Sequence, residues 1–225
     1  MGVLQWILLI VGSVLQVRVI AALLRGPYKE YPLVLAYTLA LFLSTVINTA
    51  RIIDTGKFSQ SDAVWFWSTF VFRQFLMYSL VLSLIDRSLA GRQPALTSRK
   101  VLIPAAVIIA ILPFFLHRNL PNISGWMTAV GRDISFCAAI LNLLLWSILI
   151  GSGTKNRRLL MITGGLGIQF TGEAIGQSLR QLSPSTLLIG NLFTVVPHLV
   201  CLYIWLQAFR EQMSRPSDDL KNRAA

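Results

Sequence analysis

Apolar residues fill seven long stretches of the chain, each close to the roughly 20 residues that cross the hydrocarbon core of a bilayer. The stretches are residues 3–24, 31–53, 63–85, 101–116, 126–150, 159–182 and 186–209. The fourth is the shortest and the sixth the least hydrophobic. This pattern predicts an all-α, polytopic integral membrane protein with a seven-transmembrane-helix bundle at 1–209 and a short polar cytoplasmic tail at 210–225.

The sixth stretch carries a polar face that a helix surrounded by lipid would not have. Its polar residues recur every four positions and therefore lie on one side of a helix: Gln169, Glu173 and Gln177. A carboxylate in the membrane interior costs roughly 2.5 to 3.5 kcal/mol on insertion scales. The spacing Gly172-x-x-x-Gly176 adds a groove in which a neighbouring helix can approach closely. We therefore expect this face to point into the bundle.

Polar side chains at similar depths in five stretches extend this face into a chamber in the outer half of the bundle, judged from a rise of about 1.5 Å per residue. The predicted ligand-binding residues are Arg51, Arg73, Gln74, Arg132, Asp133, Gln169, Glu173, Gln177, Asn191 and His198. The four arginines at this depth, which include Arg180, outnumber the two acids. The chamber is therefore expected to hold a small polar or anionic ligand.

A structural interpretation of these charges remains open. Arg73 can pair with Glu173, and Arg132 with a neighbour, in ion pairs that only fix how the helices pack. His198 follows Pro197, which removes a helix hydrogen bond and predicts a kink beside the chamber. This histidine is either a hydrogen-bonded core residue or a sensor of pH.

Composition and charge agree with a membrane protein, since 55% of residues are hydrophobic and 13% are charged. The net charge of +11 comes mainly from alternate connections between the stretches. These hold Arg25, Lys29, Arg87, Arg92, Arg99, Lys100, Lys155, Arg157, Arg158, Arg210, Arg215, Lys221 and Arg223, whereas the opposite connections hold Lys57 and Arg118. The positive-inside rule places the N-terminus outside and the C-terminus in the cytoplasm. The charge thus reflects topology rather than a nucleic-acid partner.

The expected location is the cell membrane, which is the inner membrane in a bacterium, with the lipid bilayer as surroundings.

The chain contains no enzymatic signature. Two histidines, one at the outer rim and one in mid-stretch, cannot build a three-histidine zinc site or a paired-histidine haem site. No stretch contains the lysine that a retinal Schiff base needs. Cys137 and Cys201 lie in apolar stretches and are expected to be thiols. We predict no catalytic residue, metal or cofactor, although acid–base chemistry of Glu173 on a lipid stays open.

These features favour a receptor-like or sensory protein that binds its ligand from outside and signals through a separate cytoplasmic partner. The alternative is a small-solute or proton-coupled transporter, with Glu173 and His198 as its titrating pair. A weak repeat favours transport, because stretches one to three and five to seven run in the same directions around the fourth. The fourth stretch has no polar side chain and is expected to face lipid or a second copy in a homo-oligomer.

Overall fold

The computed structural model describes residues 3–55, 60–89, 104, 107–109, 111–117, 123–151 and 156–210. Within these residues the regular structure is helical and contains no strand, so the predicted all-α class is confirmed. The helices are α1 (Val3–Leu24), α2 (Pro32–Thr55), α3 (Gln60–Leu89), α4 (Val107–Leu116, of which 107–109 and 111–116 are described), α5 (Ile123–Gly151), α6 (Arg157–Leu182) and α7 (Leu187–Arg210). Short 3₁₀ turns, Pro27–Lys29 and Pro184–Thr186, precede α2 and α7.

Five helices are long and apolar enough to cross a membrane: α1, Pro32–Arg51 of α2, Trp65–Ser88 of α3, Gly125–Gly151 of α5, and α7. Their large side chains are widely exposed, for example Ile10 (57%), Leu143 (66%) and Leu188 (67%). A surface this apolar is typical of contact with lipid. The described helix α4 is shorter, and α6, with 26 residues, is long enough but too polar to join this group.

The long helices form a closed ring. Helix α1 packs on α2, α2 on α3, α3 on α5, α5 on α6, α6 on α7, and α7 back on α1. The order of neighbours within α1–α2–α3 therefore repeats in α5–α6–α7. Helix α6 buries a continuous face toward the inside of this ring, which explains its low hydropathy: its polar side chains contact protein rather than lipid.

Helices α6 and α7 approach each other through glycines. A Cβ atom at Gly172 would overlap the Pro197 ring and lie 2.8 Å from the Phe193 carbonyl oxygen. One at Gly176 would lie 2.7 Å from the Gly190 carbonyl oxygen. Both positions therefore need a residue without a side chain, as the predicted small-residue groove requires.

Six described basic residues cluster at one end of the ring, where α1, α3 and α7 end and α6 begins. We call this the basic end, defined by Arg25, Lys29, Arg87, Arg157, Arg158 and Arg210. The remaining connection residues of the charge pattern, Lys57, Arg92, Arg99, Lys100, Arg118 and Lys155, and the tail after Arg210 lie outside the described residues.

Buried aromatic side chains pack inside the bundle between α2, α6 and α7. Tyr37, Phe170 and Trp205 have no exposed surface, and the rings of Tyr37 and Trp205 meet edge to face at 5.9 Å. The indole Nε1 of Trp205 donates a hydrogen bond of 3.1 Å to the Ile162 carbonyl oxygen. We call Tyr37, Phe170 and Trp205 the aromatic cluster; it fills interior space between α2, α6 and α7.

Candidate functional site

The carboxylate of Glu173 lies inside the ring, only 3% exposed, between α3 and α5. The Gln74 side chain on α3 donates from Nε2 to Glu173 Oε2 at 2.7 Å. The Ser135 hydroxyl on α5 donates a longer bond of 3.4 Å to the same oxygen. The four-residue spacing on α6 thus places the acid where two neighbouring helices supply donors.

A second amide completes this cluster on the side of α2. Gln169, one turn before Glu173, donates from Nε2 to the Tyr37 hydroxyl at 2.7 Å. The same nitrogen lies 3.1 Å from Met77 Sδ and 3.5 Å from Glu173 Oε1. The residues Tyr37, Gln74, Met77, Ser135, Gln169 and Glu173 form what we call the Glu173 network. It joins α2, α3, α5 and α6, and the groups that donate to the Glu173 carboxylate are neutral amides and a hydroxyl.

No residue that the structure describes forms an ion pair with Glu173, so the suggested pairing with Arg73 is not observed. The Arg73 guanidinium instead stacks over the Phe70 ring at 5.3 Å, and its Nε atom is buried without a partner among the described residues. Adjacent residues on a helix point about 100° apart. Of these two neighbours on α3, Gln74 is the one that bonds to Glu173.

Several buried polar atoms around the network have no hydrogen-bond partner in the described part of the chain. They are the Oε1 atoms of Gln74, Gln169 and Gln177 and the Nε2 atom of His198. Gln177 is only 1% exposed, although it was expected to contact a ligand. Unpaired buried polar atoms are rare in folded proteins. The interior thus retains hydrogen-bonding capacity that its own side chains do not use.

A separate cleft opens at the end opposite the basic end, with a volume of about 740 Å³. It is lined by Phe66 and Trp67 of α3, His117 after α4, Gly125, Thr128, Ala129 and Arg132 of α5, Arg180 and Gln181 of α6, and Leu187 of α7. We call it the Arg180 cleft. Its lining combines aromatic walls with cationic and amide side chains.

Arg132 and Asp133 at this cleft have hydrogen-bonding partners, whereas Arg180 has none among the described residues. Asp133 accepts from Arg132 Nε at 2.9 Å and lies 2.7 Å from His117 Nε2. Arg132 also donates to Gln181 Oε1 at 2.6 Å. Arg180 has no hydrogen bond or ion pair with any described residue. Since Asp133 is already engaged, Arg180 supplies a positive charge to the cleft that no described acid neutralises.

No protein-family model, curated protein or solved structure matches the chain. The two polar sites therefore carry the functional interpretation.

The predicted single chamber is divided between these sites. Gln74, Gln169 and Glu173 meet in the Glu173 network. Arg132 lines the Arg180 cleft, and Asp133 lies beside it as its partner.

Other predicted site residues take no part in the Glu173 hydrogen bonds. Arg51 stacks on the Trp65 ring at 5.0 Å. Asn191, near the start of α7, has an exposed side chain. His198 is near the interior, but no described residue bonds its Nε2 atom.

Sequence reasoning missed several contributors to the two sites. Tyr37, Met77 and Ser135 enter the Glu173 network, and none of them belongs to the polar spacing of α6 that predicted it. Gln181, which follows Arg180 in the sequence, also lines the cleft. Arg180 is a predicted charge of the chamber but is not among the predicted ligand-binding residues. The adjacent polar residues Arg180 and Gln181 at the end of α6 are the sequence feature that could have identified this cleft. The described residues contain no group of three side chains suited to hold a metal ion, and both cysteines are free thiols.

Proposed function

We propose that the protein is a receptor-like seven-helix membrane protein that binds a small anionic ligand in the Arg180 cleft. The observation that carries this proposal is the unpartnered guanidinium of Arg180 in an open cleft. A guanidinium group binds carboxylate or phosphate through two parallel hydrogen bonds. The ligand supplies the negative charge that the described side chains around Arg180 lack.

The size and lining of the cleft support a small-molecule ligand. Its volume of about 740 Å³ lies within the range of ordinary ligand pockets. Phe66 and Trp67 offer apolar surface, and Gln181 offers an amide beside the charge. An anion with a small apolar or aromatic body fits this lining better than a bare inorganic ion does.

The interior beneath the cleft favours a receptor over a channel. The Glu173 network joins four helices, and the buried aromatic cluster packs beside it through Tyr37. This packing supports a ligand that stays at Arg180 rather than one that passes through the bundle. Signalling then proceeds through a change in helix packing that a cytoplasmic partner detects.

The proposal includes a multi-pass location in the cell membrane, with seven spans, an external N-terminus and a cytoplasmic C-terminus. Five long apolar helices among the described residues support it. Helix α6 is less hydropathic than these five, but its polar residues Gln169, Glu173 and Gln177 are buried inside the bundle. Six described cations in or next to the connections between helices lie at the basic end, as the positive-inside rule requires of the cytoplasmic side. The Arg180 cleft then opens to the outside.

Small-solute or proton-coupled transport is the second candidate, and one observation favours it. The order of neighbouring helices repeats in the two halves of the ring, as in transporters built from parallel repeats. In that case the contact of Gly172 with Pro197 is the place where α6 and α7 shift against each other.

A binding assay with matched variants tests the proposal. Small carboxylates and phosphates are screened for thermal stabilisation of the purified protein in detergent. Arg180→Gln should weaken the best ligand roughly 10- to 150-fold, because a hydrogen bond to a charged group contributes about 1.5 to 3 kcal/mol. Arg87→Gln is the control. Arg87 stacks on Tyr31 at the basic end, so this substitution removes the same charge far from the cleft.

The two candidates give different results in liposomes. A ligand that binds through Arg180 and does not cross the membrane supports the receptor. Flux that is lost in Glu173→Gln supports the transporter. Equal binding by the wild type and Arg180→Gln, or stabilisation by no anion, refutes the cleft as an anion site.

A further inference from the structure

A second cationic cleft lies at the basic end, between α1 and α7. It has a volume of about 250 Å³ and is lined by Arg18, Ala21, Ala22, Arg25, Leu206 and Arg210. No acidic residue belongs to this lining. We call it the Arg18 cleft. It is separate from the Arg180 cleft, which opens at the other end of the ring.

The spacing of these residues explains the shape of the cleft. Arg18 and Arg25 are seven residues apart, which places them on the same face two helical turns apart. Ala21 lies between them and leaves room beside the helix backbone. On α7, Leu206 is one turn before Arg210 and is only 5% exposed. The result is an apolar floor with a cationic rim.

Arg18 and Arg210 carry charges that no described residue neutralises. Neither forms an ion pair or hydrogen bond with a described residue, and both side chains are exposed. Two guanidinium groups that line one small cleft repel each other. An anion with several acceptor oxygens removes this repulsion and can accept from more than one arginine.

The position of Arg18 identifies the source of the anion. Arg18 lies within the apolar helix α1, and Val14, one turn earlier on the same side, is 51% exposed. A long cationic side chain at this depth extends toward the membrane surface while its stem stays in the apolar layer. A ligand that reaches both Arg18 and this apolar surface has a charged head and a hydrocarbon body.

We propose that the Arg18 cleft is a binding site for an anionic phospholipid. The phosphodiester lies among Arg18, Arg25 and Arg210, and the acyl chains run along the exposed apolar surface beginning at Val14. Basic pockets between transmembrane helices on the cytoplasmic side bind anionic headgroups in this way. This site depends on the membrane location, and it is independent of any ligand in the Arg180 cleft.

Lipid-dependent stability of the full chain tests the proposal. The protein is purified in a non-ionic detergent and melted with added phosphatidylglycerol, phosphatidylcholine or inorganic phosphate. Phosphatidylglycerol at about ten times its Kd should raise Tm by about 3 to 6 °C. Phosphatidylcholine should give no such shift, and native mass spectrometry should detect retained phosphatidylglycerol.

The double variant Arg18→Gln/Arg210→Gln should lose both the shift and the retained lipid. Its control, Lys29→Gln/Arg157→Gln, removes the same charge at the basic end and should keep them. Because Arg18 and Arg210 are exposed, the double variant should fold, and its melting without lipid checks this. An equal shift in both double variants refutes a specific site. An equal response to inorganic phosphate refutes a lipid as the occupant.

Discussion

The hydrogen bond between Gln74 and Glu173 gives a prediction that separates the observed packing from the ion pair suggested by the sequence. At 2.7 Å it is the shortest bond that the carboxylate receives, and both partners are at least 97% buried. A buried hydrogen bond to a charged group contributes about 1.5 to 3 kcal/mol. Gln74→Leu removes it and leaves the 3.4 Å bond from Ser135 on the same oxygen.

The single variant alone does not report this contribution. The Oε1 atom of Gln74 is buried without a partner in the described structure, and its removal relieves a cost of about 1 to 3 kcal/mol. The net effect of Gln74→Leu can therefore be small. A double-mutant cycle with Glu173→Leu cancels this relief, because Gln74→Leu removes the same unpaired atom whether residue 173 is Glu or Leu. We expect a coupling energy of about 1.5 to 3 kcal/mol.

The matched control uses the neighbouring residue on the same helix. Arg73 forms no ion pair with Glu173, so the cycle of Arg73→Leu and Glu173→Leu should give a smaller coupling than the Gln74 cycle. Unfolding in mixed micelles is followed by fluorescence of the six tryptophans, since Trp205 packs on Tyr37 of the network. A larger coupling for Arg73 than for Gln74 would refute the assignment of Gln74 as the partner.

Two further predictions concern packing and topology. Gly172→Ala should destabilise the protein by about 1 to 3 kcal/mol, because its Cβ overlaps Pro197. Gly151→Ala, where a Cβ meets nothing within 4 Å, should not, and equal unfolding free energies would contradict the close α6–α7 contact. In intact cells an impermeant thiol reagent should label Ser185→Cys and spare Lys29→Cys, which both occupy exposed positions, with the wild type as background. Labelling of the Lys29 variant alone would reverse the topology.

The helices follow from the apolar stretches because length and hydropathy are local properties of the chain. The first predicted stretch, residues 3–24, coincides with α1, and the sixth differs from α6 by two residues at its start. The polar face of α6 also points inward, as the cost of exposing Glu173 to lipid demands. These predictions need no knowledge of which helices are neighbours.

The composition of the site depends on neighbours and could not be predicted in the same way. Depth estimates gave Arg73 and Gln74 almost equal access to Glu173, and only the rotation of α3 selects Gln74. Likewise, Arg180 is unpartnered because Asp133 bonds to Arg132 and His117. Such a choice among several possible ion pairs is a property of the assembled ring.

The polar face of α6 has a consequence for how the chain enters the membrane during synthesis. Its hydrogen-bonding partners Tyr37, Gln74 and Ser135 all precede it, so they are already inserted when α6 leaves the ribosome. A helix too polar to enter lipid alone can thus be received by an existing protein surface. Its glycines Gly172 and Gly176, however, pack against α7, which follows α6 in the chain. We expect a chain that ends before α7 to leave this backbone groove open, and membrane quality-control proteases to remove it.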